Sequence, residues 1–391
     1  MLQLSKPDRP IPRLPVFGWD TFSGTKASAM PSVLDAKCVL YTTSGRASIF
    51  QALRALNISS ASSVLVPTYH CPTMVAPIVA LGALPIFCPI DSSGHIPVDS
   101  ILKLARADTK AIIAPHFFGL PQPMGKLRQW CDENGVALIE DCAHALFGKA
   151  GSRNIGAWGD LAIASLTKFL PVSEGGCLIC NHTTPGFIAL QQHSTISQIK
   201  AALDIIEEGA RFVAMPGLNY FVNGLFALKR RLRRTSGTPE DPTVRNFMEE
   251  KERLGAINPR LADTQMAYAC QWIALHAARQ RIVSNRRHNY AYLAEALSNS
   301  PHFRPLLRQL PRDCAPYVFP LWVEHPDPAY LILRERRIPI FRWDRLWNST
   351  PVIPGDVGKA WSHHVYQLVC HQDLRQEELD LIVANLWELL G

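Results

Sequence analysis

Leu161-Ala-Ile-Ala-Ser165-Leu-Thr-Lys168-Phe-Leu-Pro-Val-Ser-Glu174-Gly-Gly176-Cys-Leu-Ile-Cys180 is the stretch on which the reading of the fold turns. Two short apolar runs, 161–164 and 177–180, flank a turn that holds a lysine, a proline and two glycines. Short apolar runs bounded by turn formers read as strands buried on both faces. A lysine set against such a strand is costly to bury as a cation. Either it is an ordinary surface lysine at a strand end, or chemistry neutralises it. Burial lowers a lysine's pKa toward useful nucleophilicity, and a Schiff base removes the charge altogether.

Toward the N-terminus lie more runs of the same kind: Val64-Leu-Val, Ile86-Phe-Cys, Ala111-Ile-Ile-Ala and Val136-Ala-Leu-Ile. Between them, helical spacing predicts helices over 47–56, 73–81, 98–106 and 124–134. This is the βαβ rhythm of an open α/β sheet, in which ligands sit at the carboxyl ends of the strands. After residue 181 the character changes. Residues 190–255 read as helical or irregular, with a basic run, Lys229-Arg-Arg-Leu-Arg-Arg234, and a polar break, Thr235-Ser-Gly-Thr-Pro-Glu-Asp-Pro242. A long helix pattern covers 263–297. From about 317 short strands and helices alternate, ending in a helix over 376–390. The expected organisation is a large cofactor-binding domain, 1–255, in which 185–255 is a divergent helical insertion, followed by a long helix and a smaller C-terminal α+β domain, 256–391.

The bulk numbers bound the function. With 391 residues, 47 % apolar and 19 % charged, the chain can bury a large core. The net charge of +7 favours an anionic ligand; no nucleic-acid motif accompanies it, so nucleic acid is not an expected partner. Ten cysteines are scattered, several within apolar runs, as buried free thiols are in a reducing compartment. Cys177 and Cys180 form a C-x-x-C with no second pair or flanking histidines, which reads as strand packing and not as a metal site. The first twenty residues have no apolar segment after their charges, so no signal peptide is expected. Residues 64–90 lack Asp, Glu, Lys and Arg, yet Pro67, Pro72, Pro77, Pro85 and Pro89 interrupt them, and a membrane helix rarely tolerates so many. The expected location is the cytoplasm.

Four segments carry the chemistry. Ser44-Gly45-Arg46-Ala47-Ser48 opens a helix; backbone N–H groups at such a terminus bind phosphate, although Ser-Gly also makes an ordinary N-cap. Leu138-Ile-Glu-Asp141-Cys-Ala-His144 is a strand that ends in acids, so Asp141 either faces a ligand crevice or caps a helical turn after the strand. His116-Phe-Phe-Gly119 is a turn after a strand, packed under a ligand or simply core. Lys168 is the fourth. A phosphate loop, a carboxylate and a lysine in that order suit pyridoxal chemistry, in which a carboxylate keeps the pyridine nitrogen protonated and the ring acts as an electron sink.

In these features the chain resembles the DegT/DnrJ/EryC1/StrS group of sugar aminotransferases. The resemblance runs through Thr43-Ser-Gly-Arg, Val66-Pro67, the His116 turn, Ile139-Glu-Asp-Cys-Ala-His, Trp158-Gly-Asp160, Thr167-Lys168 and Glu174-Gly-Gly176. It resumes at Ile257-Asn-Pro-Arg260-Leu-Ala-Asp and, more loosely, at His371-Gln-Asp-Leu. It implies the type I fold of pyridoxal-phosphate-dependent transferases, an α/β fold with a mostly parallel central sheet flanked by helices and a smaller C-terminal domain. It implies pyridoxal 5′-phosphate as cofactor, with Lys168 as Schiff-base lysine and proton shuttle and Asp141 on the pyridine N–H. Ser44, Gly45, Arg46 and Ser165 would hold the phosphate, and Asn258 would reach it from the neighbouring subunit of a homodimer. His144 stands where the family usually has Gln, and Arg46 where it has Thr. Cys71 holds the place of the family's ring-stacking aromatic, with Tyr69 and His70 as alternatives for that role.

The implied reaction moves an amino group from glutamate or glutamine to a keto sugar carried on a nucleotide, with Arg260, Arg342 and Glu174 as candidate substrate contacts. Arg230 and Arg231 are further candidates for its diphosphate. Two other readings stand beside it. The same lysine and aspartate serve a non-sugar carbonyl compound or a sugar dehydration. A membrane-surface or regulatory role would use Tyr220-Phe-Val-Asn-Gly-Leu-Phe-Ala-Leu and the basic cluster behind it, residues 220–234 together.

Overall fold

The computed structural model describes residues 9–24, 30–181, 189–212, 214, 215, 217, 224 and 256–391. The strands expected from the apolar runs form β1 (Val39–Thr42), β2 (Ser63–Pro67), β3 (Leu84–Cys88), β4 (Thr109–Pro115), β5 (Ala137–Asp141), a small hairpin of β6 (Lys149–Ala150) and β7 (Arg153–Asn154), β8 (Leu161–Ser165) and β9 (Gly176–Cys180). Seven of them make one sheet in the order β1-β9-β8-β5-β4-β2-β3. Every neighbouring pair from β8 to β3 is parallel, while β9 runs antiparallel to both β8 and β1.

Helices cover the sheet, as a parallel sheet requires: α1 (Gly45–Ala55), α2 (Pro72–Ala80), α3 (Val98–Leu104) and α4 (Gly125–Asn134). Their ends follow local chemistry. Ser44 caps α1 by accepting the Ala47 N–H at 3.2 Å, α2 starts on Pro72, and α4 stops at Gly135, whose φ is +63°. Ile49, Leu53, Val64, Val66, Met74 and Ile113 join one buried cluster between α1, α2 and the sheet.

Beyond β9 come α5 (Thr195–Arg211), α6 (Pro259–Ala262), α7 (Tyr268–His276) and α8 (Arg279–Ala296). The helix expected over 263–297 is therefore two helices. Residues 264–266 leave the helical path to pair with β1 at the edge of the large sheet, Met266 N–H bonding to the Tyr41 carbonyl at 3.3 Å, while Gln265 N–H bonds to the Gln191 carbonyl at 2.8 Å. Ala277 and Ala278 are non-helical, and the Ala278 N–H is taken at 2.9 Å by the Thr21 carbonyl of the N-terminal strap. Hydrogen bonds to distant parts of the same chain override the helical pattern at both places.

The C-terminal part holds β10 (Phe303–Pro305), β11 (Val318–Val323), α9 (Ala329–Glu335), β12 (Ile340–Phe341), α10 (Gly358–His364), β13 (Val365–Val369) and α11 (Gln376–Leu390). Its strands form an antiparallel sheet in the order β10-β11-β13-β12, closed by α8 and α11 over Tyr290, Leu293, Phe319, Leu368, Ile382 and Leu386. β10, three residues long, has no distinct signature in the sequence.

All ten cysteines are free thiols, seven of them buried. No described helix is long and apolar enough to cross a membrane. The residues 220–234 singled out for membrane contact, with Arg230 and Arg231, lie outside the described residues apart from Gly224, as does most of 185–255 beyond α5.

Candidate active site

Register sets the site. Pro115 pairs with Asp141, and Asp141 with Ile163, so β4, β5 and β8 end at one edge of the sheet. A cavity of about 570 Å³ opens there. Ser44, Gly45, Arg46, Cys71, Asp141, His144, Ser165, Lys168, Glu174, Asn258 and Arg342, all named from sequence, line it. Tyr69, His70 and Arg260 do not.

Alternation along β5 separates two adjacent acids. Glu140 is fully buried and turned away from the cavity. Its oxygens accept from Gly156 N–H at 2.8 Å, Trp158 N–H at 2.7 Å, Gly159 N–H at 3.2 Å and His116 Nε2 at 2.9 Å. Asp141 faces the cavity, 5 % exposed, and accepts only the Ala143 N–H, at 2.8 Å, among the protein hydrogen bonds of the described residues. Burial raises its pKa, while the Ala143 bond and the charges of Lys168 and His116 pull it down; the net direction is up. An incoming cation, such as a protonated ring nitrogen, would find a buried carboxylate with acceptor capacity to spare.

Lys168 stands in a short 3₁₀ turn after β8, with Nζ 5.2 Å from the centre of the Tyr317 ring. Burial lowers its pKa, opposed by the charge of Asp141 and by Cys71. The glycines of Glu174-Gly-Gly176 let the strap before α1 close over this turn. A Cβ on Gly176 would lie 2.3 Å from the Ser44 carbonyl carbon, and one on Gly175, at φ +148°, 2.4 Å from Met266. Across the same contact a Cβ on Gly45 would come within 3.2 Å of Ser165 Cβ, so the α1 N-terminus and Ser165 form one tight cradle.

The histidines are sorted by their bonds. His144 is buried, its ring 4.5 Å from that of Tyr317, and its Nδ1 accepts the Phe118 N–H at 3.2 Å, which leaves the proton on Nε2. Burial and the charge of Lys168 hold its pKa well below the ordinary range, so it is neutral. His70 is pushed down to about 4 by burial; its Nδ1 donates to the Pro67 carbonyl at 2.9 Å and its Nε2 accepts from Trp347 N–H at 3.0 Å. It latches the 341–350 loop and offers nothing to the cavity. Tyr69 is likewise core, packed 4.9 Å from Trp343 and accepting from Gln367 at 3.2 Å. Of the three candidates for stacking, only Cys71 reaches the cavity.

Arg342 is held by Asp327 at 3.1 Å and lies 4.4 Å over the Tyr330 ring, yet its buried Nε has no partner among the described residues. Glu174 spends one oxygen on the Ala267 N–H and His193, both at 2.8 Å, and so anchors the start of α7. Asn258 caps α6, accepting from Arg260 N–H at 3.0 Å, and lines the cavity of its own chain; Arg260 is exposed outside it. Sequence reading missed Tyr317, Trp343 and Gln367, which enter from the C-terminal sheet, and Arg286, whose signal was a charge at a core position of the helical repeat Ile282, Val283, Arg286, Tyr290, Leu293.

The arrangement fits pyridoxal phosphate: a cradle at a helix N-terminus for an anion, a buried strand-end carboxylate, and a lysine between them with its pKa lowered. Residues 27–195 match the DegT/DnrJ/EryC1/StrS aminotransferase family. The chain is 32 % identical over 151 residues to a GDP-perosamine synthase of Vibrio cholerae, covering 38 % of this chain and 41 % of that protein. It is 32 % identical over 123 residues to a UDP-N-acetyl-3-dehydro-alpha-D-glucosamine 3-aminotransferase of Acidithiobacillus ferrooxidans, covering 31 % and 33 %. The chain thus spans well under half the length of these relatives. Over 91 % of this chain and 74 % of the other, its fold superposes with TM-score 0.60 and 16 % identity on NtdA of Bacillus subtilis, solved with bound cofactor PMP. The fold is the type I fold of pyridoxal-phosphate-dependent aminotransferases.

Proposed function

Starting from a chain related to the DegT/DnrJ/EryC1/StrS aminotransferases, we propose that it is a pyridoxal-phosphate-dependent aminotransferase that moves an amino group from glutamate or glutamine to a keto sugar, one carried on a nucleotide. The observation that carries this is Lys168 and Asp141 facing one cavity at the edge of β5 and β8, beside the α1 N-terminus.

Ser44, Gly45 and Arg46 at the start of α1, with Ser165 and Asn258, would hold the phosphate. Asp141 would accept the pyridine N–H. When bound, the cofactor supplies an aldehyde that takes up the amino group and a ring that serves as an electron sink. Lys168 Nζ would be the nucleophile that holds it at rest. Its lowered pKa raises the neutral, nucleophilic fraction near neutral pH. Released, Lys168 is the base that moves the substrate proton; one positioned base contributes roughly 10²–10⁴-fold. Neutral His144 offers an Nε2 proton to an oxygen and takes none from Lys168. Cys71, Tyr317 and Trp343 wall the space, and Arg342 lines it as the cation for an anionic or hydroxylated substrate. The pairing of Asn258 and exposed Arg260 on α6 suits a homodimer in which that segment also borders the partner's cavity.

The test is to load the protein with cofactor and glutamate and offer a panel of nucleotide keto sugars beside simple ketones. The reading expects amino transfer to one or more nucleotide sugars; transfer only to non-sugar ketones, or loss of water without amino transfer, would replace it.

A further inference from the structure

Arg286 on α8 is fully buried. It donates Nε–H to Gln372 at 2.8 Å, Nη1–H to the Pro316 and Tyr317 carbonyls at 3.0 and 3.1 Å, and Nη2–H to the Lys168 carbonyl at 2.7 Å. Gln372 in turn donates to the Phe169 carbonyl at 3.0 Å, and the guanidinium lies 4.4 Å over the Phe169 ring. One planar fork therefore fixes the backbone of Lys168 and of Tyr317, the two residues that face each other across the cavity wall.

None of these bonds goes to a carboxylate. Burial holds the guanidinium down to about 10, against weaker opposing effects of Cys370 and Asp373. A buried cation with neutral partners is an expensive way to fill space, and an apolar side chain of the same volume often serves stability as well or better. What arginine alone provides is a rigid set of donors at fixed angles.

Resting on the functional reading above, we infer that Arg286, with Gln372, is a positioning residue that sets the direction of Lys168 by holding the turn it stands on against the C-terminal sheet. The test uses the full chain loaded with pyridoxal phosphate, in Arg286→Lys and Gln372→Glu. The second keeps an acceptor for Arg286, now a charged one, and replaces the donor to the Phe169 carbonyl with an acceptor. The expected result is kcat down at least tenfold with KM within threefold, and the pH midpoint of the visible cofactor band moved by half a unit or more. In cofactor-free protein, the pH dependence of Lys168 labelling by an amine reagent, read on its peptide by mass spectrometry, should shift as well. Folded variants with unchanged kcat, band midpoint and labelling profile would overturn the inference, as would loss of folding in both, which marks a purely structural role. A wild-type protein that forms no visible band would instead overturn the functional reading, and the labelling shift would still decide this one.

Discussion

The cavity has two walls of different origin. The wall from the seven-stranded sheet is made by residues at successive strand ends: Ser44 and Gly45, Asp141, Ser165 and Lys168. The wall from the C-terminal sheet is made by Tyr317, Phe341, Arg342, Trp343 and Gln367. The first is fixed by local rules, since a parallel sheet brings its carboxyl ends together whatever else the chain does. The second depends on how a separate sheet docks, through His70 on Trp347 and Arg286 on the Lys168 turn. On the proposed function the difference would divide the work: generic cofactor chemistry on the first wall, substrate choice on the second.

Changes on the first wall should act on chemistry for every substrate. Lys168→Ala should lower amino transfer by roughly 10³-fold or more and abolish covalent cofactor attachment; wild-type-like turnover would move the chemistry elsewhere. Asp141→Asn should cost roughly 10²-fold in kcat, with the fold retained. Steady-state kinetics on two substrates would check it, since equal losses on both mark a cofactor effect.

The docking itself should respond to acid. His70 is held neutral with its pKa pushed down to about 4 from 6.5, so the unfolded chain binds its proton first. Stability from this group is complete above pH 6.5 and declines as pH falls toward 4, by about 3 kcal/mol in all. His371, also pushed down to about 4, adds to the same window. Denaturation between pH 7 and 4 should show a smaller drop in His70→Gln than in the parent; equal drops would detach the latch from the effect. Last, Arg342→Met on the second wall should raise KM for the anionic substrate about tenfold with kcat nearly kept. An equal fall in kcat would mean that the two walls do not divide chemistry from selection.

That division also explains what could be read in advance. The apolar runs at 64–66, 86–88, 111–114, 136–139, 161–164 and 177–180 all became strands, because buried parallel strands have a strong, local signature. That Asp141 and Lys168 reach the cavity followed from their places at the end of β5 and just after β8. Tyr69 and His70 were mistaken for cavity residues because a strand-end position does not say which way a turn faces, and both are spent on core contacts. Tyr317 and Trp343 carried no local mark; contacts across nearly two hundred residues bring them to His144. The break at Ala277 and Ala278 was hidden for the same reason, since its cause is the carbonyl of Thr21.

The central claim is that Lys168 is the residue that binds the cofactor covalently. Borohydride reduction of the cofactor-loaded protein, followed by peptide mapping, tests it most directly. The account expects the reduced pyridoxyl group on the peptide carrying Lys168 and on no other, at one per chain. Label spread over several lysines, or absent from Lys168, would contradict it.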